Sequence, residues 1–323
     1  MPHLPVLPST LKVVAQSRLV QTGVERVQHF VADRPLLKIP PLQPGPPPYH
    51  YYDGTAVTAQ WLFVLDTLNH CFWPRKGKQL WEIEYQNRRL SGYWALAASL
   101  KRAMEEGITI HRATTLVNLD RQTLQHVFRG RGEIPLLDAR LENLQQAGRI
   151  LIERFQGNFV HLIEEAARSA VALTLLLVQH FPSFNDVAAY RDNRVYFYKR
   201  AQLLALDLWS TFSGEFPGQF ADLDQLTAFA DYKLPQVLRH LHLIEYTPEL
   251  AAKVDNLVPI SPGSEAEVEI RAATIWVVEW LRRELASRGH KVISAQIDNW
   301  LWHLGQQQRF RQRPYHRTLT IFY

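Results

Sequence analysis

Carboxylates set among aromatic side chains are the residues of this sequence best suited to chemistry. VISAQIDNWLWHLG (292–305) places Asp298 and Asn299 beside Trp300 and Trp302, with His303 following. Desolvating an unpaired charge among indoles is costly, so Asp298 is either a helix cap or an acid held against a flat, apolar ligand. AFADYKLPQ (228–236) carries Phe229 and Asp231. An ionised carboxylate only accepts hydrogen bonds, which suits the ring N–H and exocyclic amine of a guanine-like base. Phe229 can stack on the face of such a base. The competing reading of Asp231 is an N-cap for the helix that follows it. VYFYKRAQ (195–202) sets Lys199 and Arg200 after three aromatic residues. Such a cation pair can hold a phosphate or snorkel at a helix edge. In PPPYHYYDG (46–54), His50 lies among Tyr49, Tyr51 and Tyr52, either at a site or on a loop whose tyrosines pack on helices.

Together these clusters hold the parts that nucleoside N-glycosidic cleavage needs. Bond breaking builds oxocarbenium character on the ribose, which a carboxylate stabilises. Contacts to the base help it leave, and a phosphate contact anchors the sugar. Other chemistries lack their signatures: there is no glycine-rich phosphate loop, dinucleotide fingerprint or nucleophile elbow. No cysteine and histidine cluster has zinc spacing, and His240 and His242 fall on different helix faces. We therefore expect no metal and no cofactor.

The elements that must position these residues read as helices. Apolar residues recur at helical spacing after Ser9 or Thr10, a plausible N-cap, with Gly23 marking a break. RPLLKIPPLQPGPPPYHYYDG cannot be regular helix and reads as an ordered loop over 35–53 that delivers side chains to a site. TAVTAQWLFVLDTLNHCFWP reads as an apolar helix ended by Pro74. Residues 81–107 read as a polar turn and a helix, 138–181 as helical throughout, and 195–214 and 223–246 as further helical units. SEAEVEIRAATIWVVEWLRRELASRG reads as a long helix stopped by Gly289. Short strands fit only at the ends of such units, as in RTLTIFY (317–323).

With 323 residues, 46% of them hydrophobic, the chain can bury a large core in one domain or two packed lobes. Lys and Arg number 36 against 31 Asp and Glu, a formal charge of +5. That balance suits a small anion better than nucleic acid, which needs a concentrated basic face. Cys71 is the one cysteine, which fits a reducing compartment. No apolar run is long enough to span a bilayer, and the N-terminus lacks a signal-peptide layout. A cytoplasmic location is expected.

Five ordered blocks resemble the queuosine salvage family, the queuosine 5′-phosphate N-glycosylase/hydrolases. They are YYDGTAVTAQWLFVLDTLNHCFWP, GYWALAASLKRAMEEGI, FYKRAQLLALDLW, FADYKLPQVL and IDNWLW. The resemblance covers most of the chain and implies one domain over 1–323. It implies an enzyme that hydrolyses queuosine 5′-monophosphate to queuine and ribose 5-phosphate, so that the base can be reused for tRNA. It also implies a mainly α-helical fold of two packed lobes, similar to the helix-hairpin-helix DNA glycosylases. The glycine-rich hairpin of those enzymes is replaced here by ASRGHKVIS, which argues against a stable nucleic-acid complex. Carried onto this chain, the resemblance makes Asp298 the catalytic carboxylate, as nucleophile or transition-state stabiliser. Asp231 then binds the base with Phe229 stacked on it, His50, Asn299 and His303 complete the base pocket, and Lys199 contacts the phosphate. Burial would push Asp298 towards its neutral acid, so backbone N–H groups of its helix start, with their dipole, or a nearby cation must compensate. A non-catalytic binder of modified nucleosides or tRNA, and a DNA base-excision glycosylase, are the competing functional readings.

Overall fold

The computed structural model describes residues 3–323. The chain runs α1 (Val6–Gln16), β1 (Val20–Gln21), α2 (Val24–Ala32) and, after the proline-rich segment, α3 (Ala56–Leu68). A hairpin of β2 (Glu82–Tyr85) and β3 (Arg88–Ser91) leads into α4 (Gly92–Glu105). Then come α5 (Ala113–Val117), α6 (Arg121–Val127), α7 (Leu137–Phe155), α8 (Phe159–Glu165) and α9 (Ala170–His180). A second hairpin, β4 (Val187–Tyr190) and β5 (Asn193–Tyr196), leads into α10 (Lys199–Thr211). The chain closes through α11 (Lys233–His240), β6 (Glu245–Tyr246), α12 (Pro248–Asp255), α13 (Glu265–Ser287) and α14 (Ser294–Leu304). The strands form three antiparallel pairs, β1–β6, β2–β3 and β4–β5. The protein is thus mainly α-helical, and no helix among the described residues is long and apolar enough to cross a membrane.

Several local expectations are corrected. Ser9 and Thr10 do not cap α1 but lie inside it, their hydroxyls donating back to the Val6 carbonyl at 3.1 and 2.7 Å. The stretch 138–181 breaks into α7, α8 and α9, where Asn158 and Ser169 cap the later two helices. The first hairpin sits in the segment read as a polar turn and a helix, and the second lies mostly in residues 187–194, between two segments read as helical. Each strand is only four residues long and abuts an amphipathic helix, so its period-2 signal is drowned. RTLTIFY forms no strand: it is irregular chain, its Arg317 carbonyl accepting from Ile260 N–H at 2.7 Å and its Tyr323 carbonyl from Cys71 N–H at 2.8 Å.

One apolar core runs from Leu4 to Phe310, so the expected lobes share it. Helix α13 lies within it, packed against α1, α2, α11 and α14. A helix covered on so many sides carries its polar residues inward too, and each must find partners. Glu269 accepts from Ser17 Oγ (2.6 Å), Leu19 N–H (2.7 Å), Val20 N–H (3.1 Å) and Tyr190 Oη (2.8 Å), fixing the link between α1 and β1. Arg271, 2% exposed, forms a forked pair with Asp186 at 2.9 and 2.5 Å and donates to the Ala230 carbonyl at 3.1 Å. Its guanidinium also lies over Phe197 and Tyr323, 3.9 and 4.3 Å from the ring centroids.

Asp186 in turn holds the start of α10. Its carbonyl accepts from Phe197 and Tyr198 N–H at 3.0 and 3.3 Å, and its carboxylate accepts from Lys199 N–H at 3.4 Å. These bonds offset the left-handed conformation of Tyr198 (φ 52°), which costs a non-glycine residue about 1–2 kcal/mol. Removing one partner of a buried ion pair leaves the other charge uncompensated. Arg271→Met should therefore lower the unfolding free energy by about 3–5 kcal/mol. Adding Asp186→Asn should restore part of the loss; urea titrations of the two variants measure both.

Candidate active site

A cavity of about 660 Å³ opens between α10, the extended segment 226–232, α14, the start of α4 and the proline-rich strip 42–48. Its volume suits a small organic ligand. The strip is laced in place: Gly45 N–H donates to the Ser210 carbonyl at 2.7 Å, Ser210 Oγ to the Gln43 carbonyl at 2.9 Å, and Gln296 Nε2 to the Pro40 carbonyl at 2.9 Å. Prolines lack an N–H, so the carbonyls of such a strip must find donors on its neighbours. A smaller hollow of about 340 Å³ beside β2, lined by Arg89, Arg102 and Arg129, contains none of the residues singled out in the sequence.

Asp298, Asn299, His303, Phe229, Asp231 and Lys199 all line the larger cavity. His50 does not. It lies one layer behind, 4% exposed, with Nε2 2.7 Å from the Tyr93 hydroxyl and its ring 5.1 Å from that of Trp61. Burial, with Lys101 adding to it, pushes the imidazole down to about 3, so it is neutral at ordinary pH. Its reach to the cavity runs through Tyr93, which does line it.

Asp298 is the fifth residue of α14, not at its start as the sequence suggested. Its own N–H is within the helix, and the helix dipole acts mainly over the first turn. The compensating donor comes from another segment: Asp298 Oδ2 accepts from Phe229 N–H at 2.7 Å. Burial holds this carboxyl well above the usual carboxylate range, Asp231 pushes the same way, and the Phe229 amide and Lys199 oppose both. Asp231 does cap α11, Oδ1 accepting from Lys233 and Leu234 N–H at 2.7 and 2.9 Å. Capping and ligand binding are compatible, because a carboxylate has a second oxygen. Burial raises its pKa, and Lys199 is the first of the groups that oppose this.

Lys199, 6% exposed, stands among these acids. Burial lowers its pKa, while Asp231, Asp66 and Asp298 favour the charged form. Arg200, its neighbour in sequence, turns away from the cavity. Arg200 donates to the Asp66, Thr67 and Ser183 carbonyls, and Arg140 to those of Leu68, His70 and Cys71. Two buried guanidiniums thus satisfy the carbonyls at the end of α3, where no capping glycine is present.

Tyr93, Trp94 and Trp302 add an aromatic wall. Trp302 meets Trp94 edge-on at 5.7 Å and Tyr93 at 6.1 Å. Trp300, on another side of α14, packs on the core without lining the cavity. Gly92, at φ 60°, makes the sharp entry from β3 into α4 that brings Tyr93 and Trp94 to the wall. Asp207, Asn69, Lys233 and Arg311 also line the cavity and went unrecognised in the sequence. A signal for Asp207 existed: Lys199, Leu203, Leu206, Asp207 and Ser210 share one face of α10. A polar residue on the same face as Lys199 marks that face as more than core.

The chain is also similar to known proteins. A family profile described as "Queuosine salvage protein" matches residues 49–323. A protein of Sphaerobacter thermophilus named queuosine 5′-phosphate N-glycosylase/hydrolase is 47% identical, over 99% of this chain and 98% of its own length. Proteins of the same name from Dictyostelium discoideum and Mus musculus are 40% and 36% identical, over 83% and 81% of this chain and 79% and 81% of their own. A match over nearly the full length, together with the cavity-lining segments it includes, places this chain in the queuosine salvage protein family.

Proposed function

We infer that this chain is an N-glycosidase that hydrolyses queuosine 5′-monophosphate, releasing queuine and ribose 5-phosphate. The observation that carries the reading is the meeting of Asp298, Asp231, Phe229 and Lys199, from three separate segments, in one cavity of ligand size. Asp298 faces ribose C1′. As the bond from C1′ to the base nitrogen breaks, its electron pair leaves with the base, which then takes a proton. Positive charge grows on the ribose and is stabilised by the carboxylate. Oxygen reaches C1′ from water, directly or after a covalent bond to Asp298. Asp231 accepts from the donor edge of the base through the oxygen left free by capping, Phe229 stacks on it, and the Asn299 and His303 face of α14 completes the pocket. His50 supports the base through Tyr93.

Lys199 is the proposed phosphate contact. Because it also faces three carboxylates, a phosphate dianion there needs further cations, and Lys233 and Arg311 line the same cavity. The whole chain serves as one domain, with residues 35–53 contributing to the pocket. Its substrate is the free nucleotide rather than a nucleic acid, in keeping with the missing hairpin, and its setting is the cytoplasm.

Asp298→Asn keeps an oxygen that can accept from Phe229 N–H but removes the charge. Release of queuine, followed by chromatography, should fall about 10³-fold or more with binding of queuine retained. Full activity in this variant would remove Asp298 from the mechanism. The same substitution has a thermal signature. A carboxyl whose pKa rises on folding binds its proton more tightly in the native state. That native state therefore loses stability as pH climbs from the ordinary value of 3.8 towards the raised one. Asp298→Asn escapes this loss, so its melting temperature should exceed that of the wild type at pH 7, with the gap narrowing towards pH 4.

A further inference from the structure

The loop between Phe72 and Leu80 carries a group of charges that the proposed reaction does not use. Both of those residues line the cavity, and Leu80 is 37% exposed, so the loop runs along the cavity's mouth. Its tip is a tight turn: Lys78 N–H donates to the Arg75 carbonyl at 2.9 Å, and Gly77 takes a φ of 78°. Such a φ at the third position of a turn favours glycine. The turn gathers Arg75, Lys76 and Lys78, all exposed, into one short segment. Its root is fixed. Trp73 is buried with the Arg317 guanidinium over its ring, 5.6 Å from the centroid, and Cys71 N–H donates to the Tyr323 carbonyl at 2.8 Å.

The charge around this turn is one-sided. Residues 67–81 contain no Asp or Glu, and neither do residues 299–323, which end against the root of the loop. Among the described residues, no ion pair involves Arg75, Lys76 or Lys78. Arg311, exposed, lines the cavity, as does Lys233, whose Nζ lies 5.1 Å from the Tyr315 ring centroid. Arg131 and Glu133 flank the glycine packed against the Gln79 and Leu80 carbonyls and bring one charge of each sign. Asp231 and Asp298, by contrast, are only 9% and 5% exposed. Exposed cations thus gather at the mouth, while the carboxyls are buried.

Exposed cations act differently from buried ones. Each contact made in water is weak, but the summed field of several like charges at a cleft raises the local concentration of an oppositely charged ligand. That field reaches about 8 Å at physiological salt and much farther at low salt. A nucleoside 5′-monophosphate brings a phosphate dianion to it, whereas the nucleoside alone brings none.

We propose that the Arg75–Lys78 turn, with Arg311, forms a cationic rim that draws phosphorylated nucleosides to the cavity and so favours nucleotide over nucleoside. The inference rests on the reading that this cavity binds a nucleoside 5′-monophosphate. It makes Arg75, Lys76 and Lys78 specificity-determining residues that act on capture, before the phosphate meets the cations inside.

The test is the triple variant Arg75→Gln/Lys76→Gln/Lys78→Gln of the full-length protein. Turnover of queuosine 5′-monophosphate is followed at about 20 mM and about 300 mM sodium chloride. At low salt the kcat/KM of the variant should be about 10-fold below that of the wild type, with kcat unchanged. At high salt the two should converge, because screening removes what the rim supplies. Lys76→Glu, a single reversal at the exposed tip, should give a smaller deficit with the same salt dependence. Equality of the triple variant with the wild type at low salt overturns the rim. So does a deficit that persists at high salt or appears in kcat, and so does an equal deficit with queuosine lacking its phosphate. If the wild type does not turn over the nucleotide, the proposed function fails. Calorimetric titration of the same nucleotide at the two salt concentrations then judges the rim by the same criteria, and absence of binding rejects both.

Discussion

The buried pair between Arg271 and Asp186 is the contact on which the geometry of the cavity depends. From α13 it reaches three segments at once: Asp186 before the β4–β5 hairpin, the Ala230 carbonyl between Phe229 and Asp231, and the ring of Tyr323 at the end of the chain. Through Asp186 it also sets the first residue of α10, Lys199. The Asp186 carboxylate strongly favours the charged guanidinium and so outweighs the cost of burying it. A buried pair of this kind adds little net stability over an apolar substitute. What it supplies here is register, since one planar, five-donor group fixes the relative positions of segments far apart in sequence.

Around Lys199 the carboxyls outnumber the cations. Asp66, Asp207, Asp231 and Asp298 face one buried ammonium, Lys199. Desolvation pushes all four carboxyls upward, and the fold answers with donors placed one by one. Phe229 N–H serves Asp298, the first amides of α11 serve Asp231, and Asn69 serves Asp66. A site of this type is complementary to a ligand that carries positive charge or develops it. Asp66, Asp231 and Asp298 are themselves buried, so their charges act in a medium less polar than water.

The sequence alone determined the mainly helical class, because apolar periodicity over ten or more residues is a local signal that packing rarely reverses. It also determined which residue types could do glycosidic chemistry. Asp231 as cap and Asp231 as cavity residue were both legible, since a cap is a neighbour-to-neighbour bond. Only the tertiary structure decided the rest. His50 moved a layer back because a neutral imidazole can be buried once the Tyr93 hydroxyl meets it. Asp298 owes its donor to Phe229, 69 positions away in the chain, rather than to its own helix start. Asp207 and Asn69 come together because both touch Asp66. Each of these outcomes is a contact between distant segments, and hydrophobic period and capping chemistry carry no information about which segments meet. The sequence names the groups that can react; the packing around α13 and α10 decides which of them face the same space.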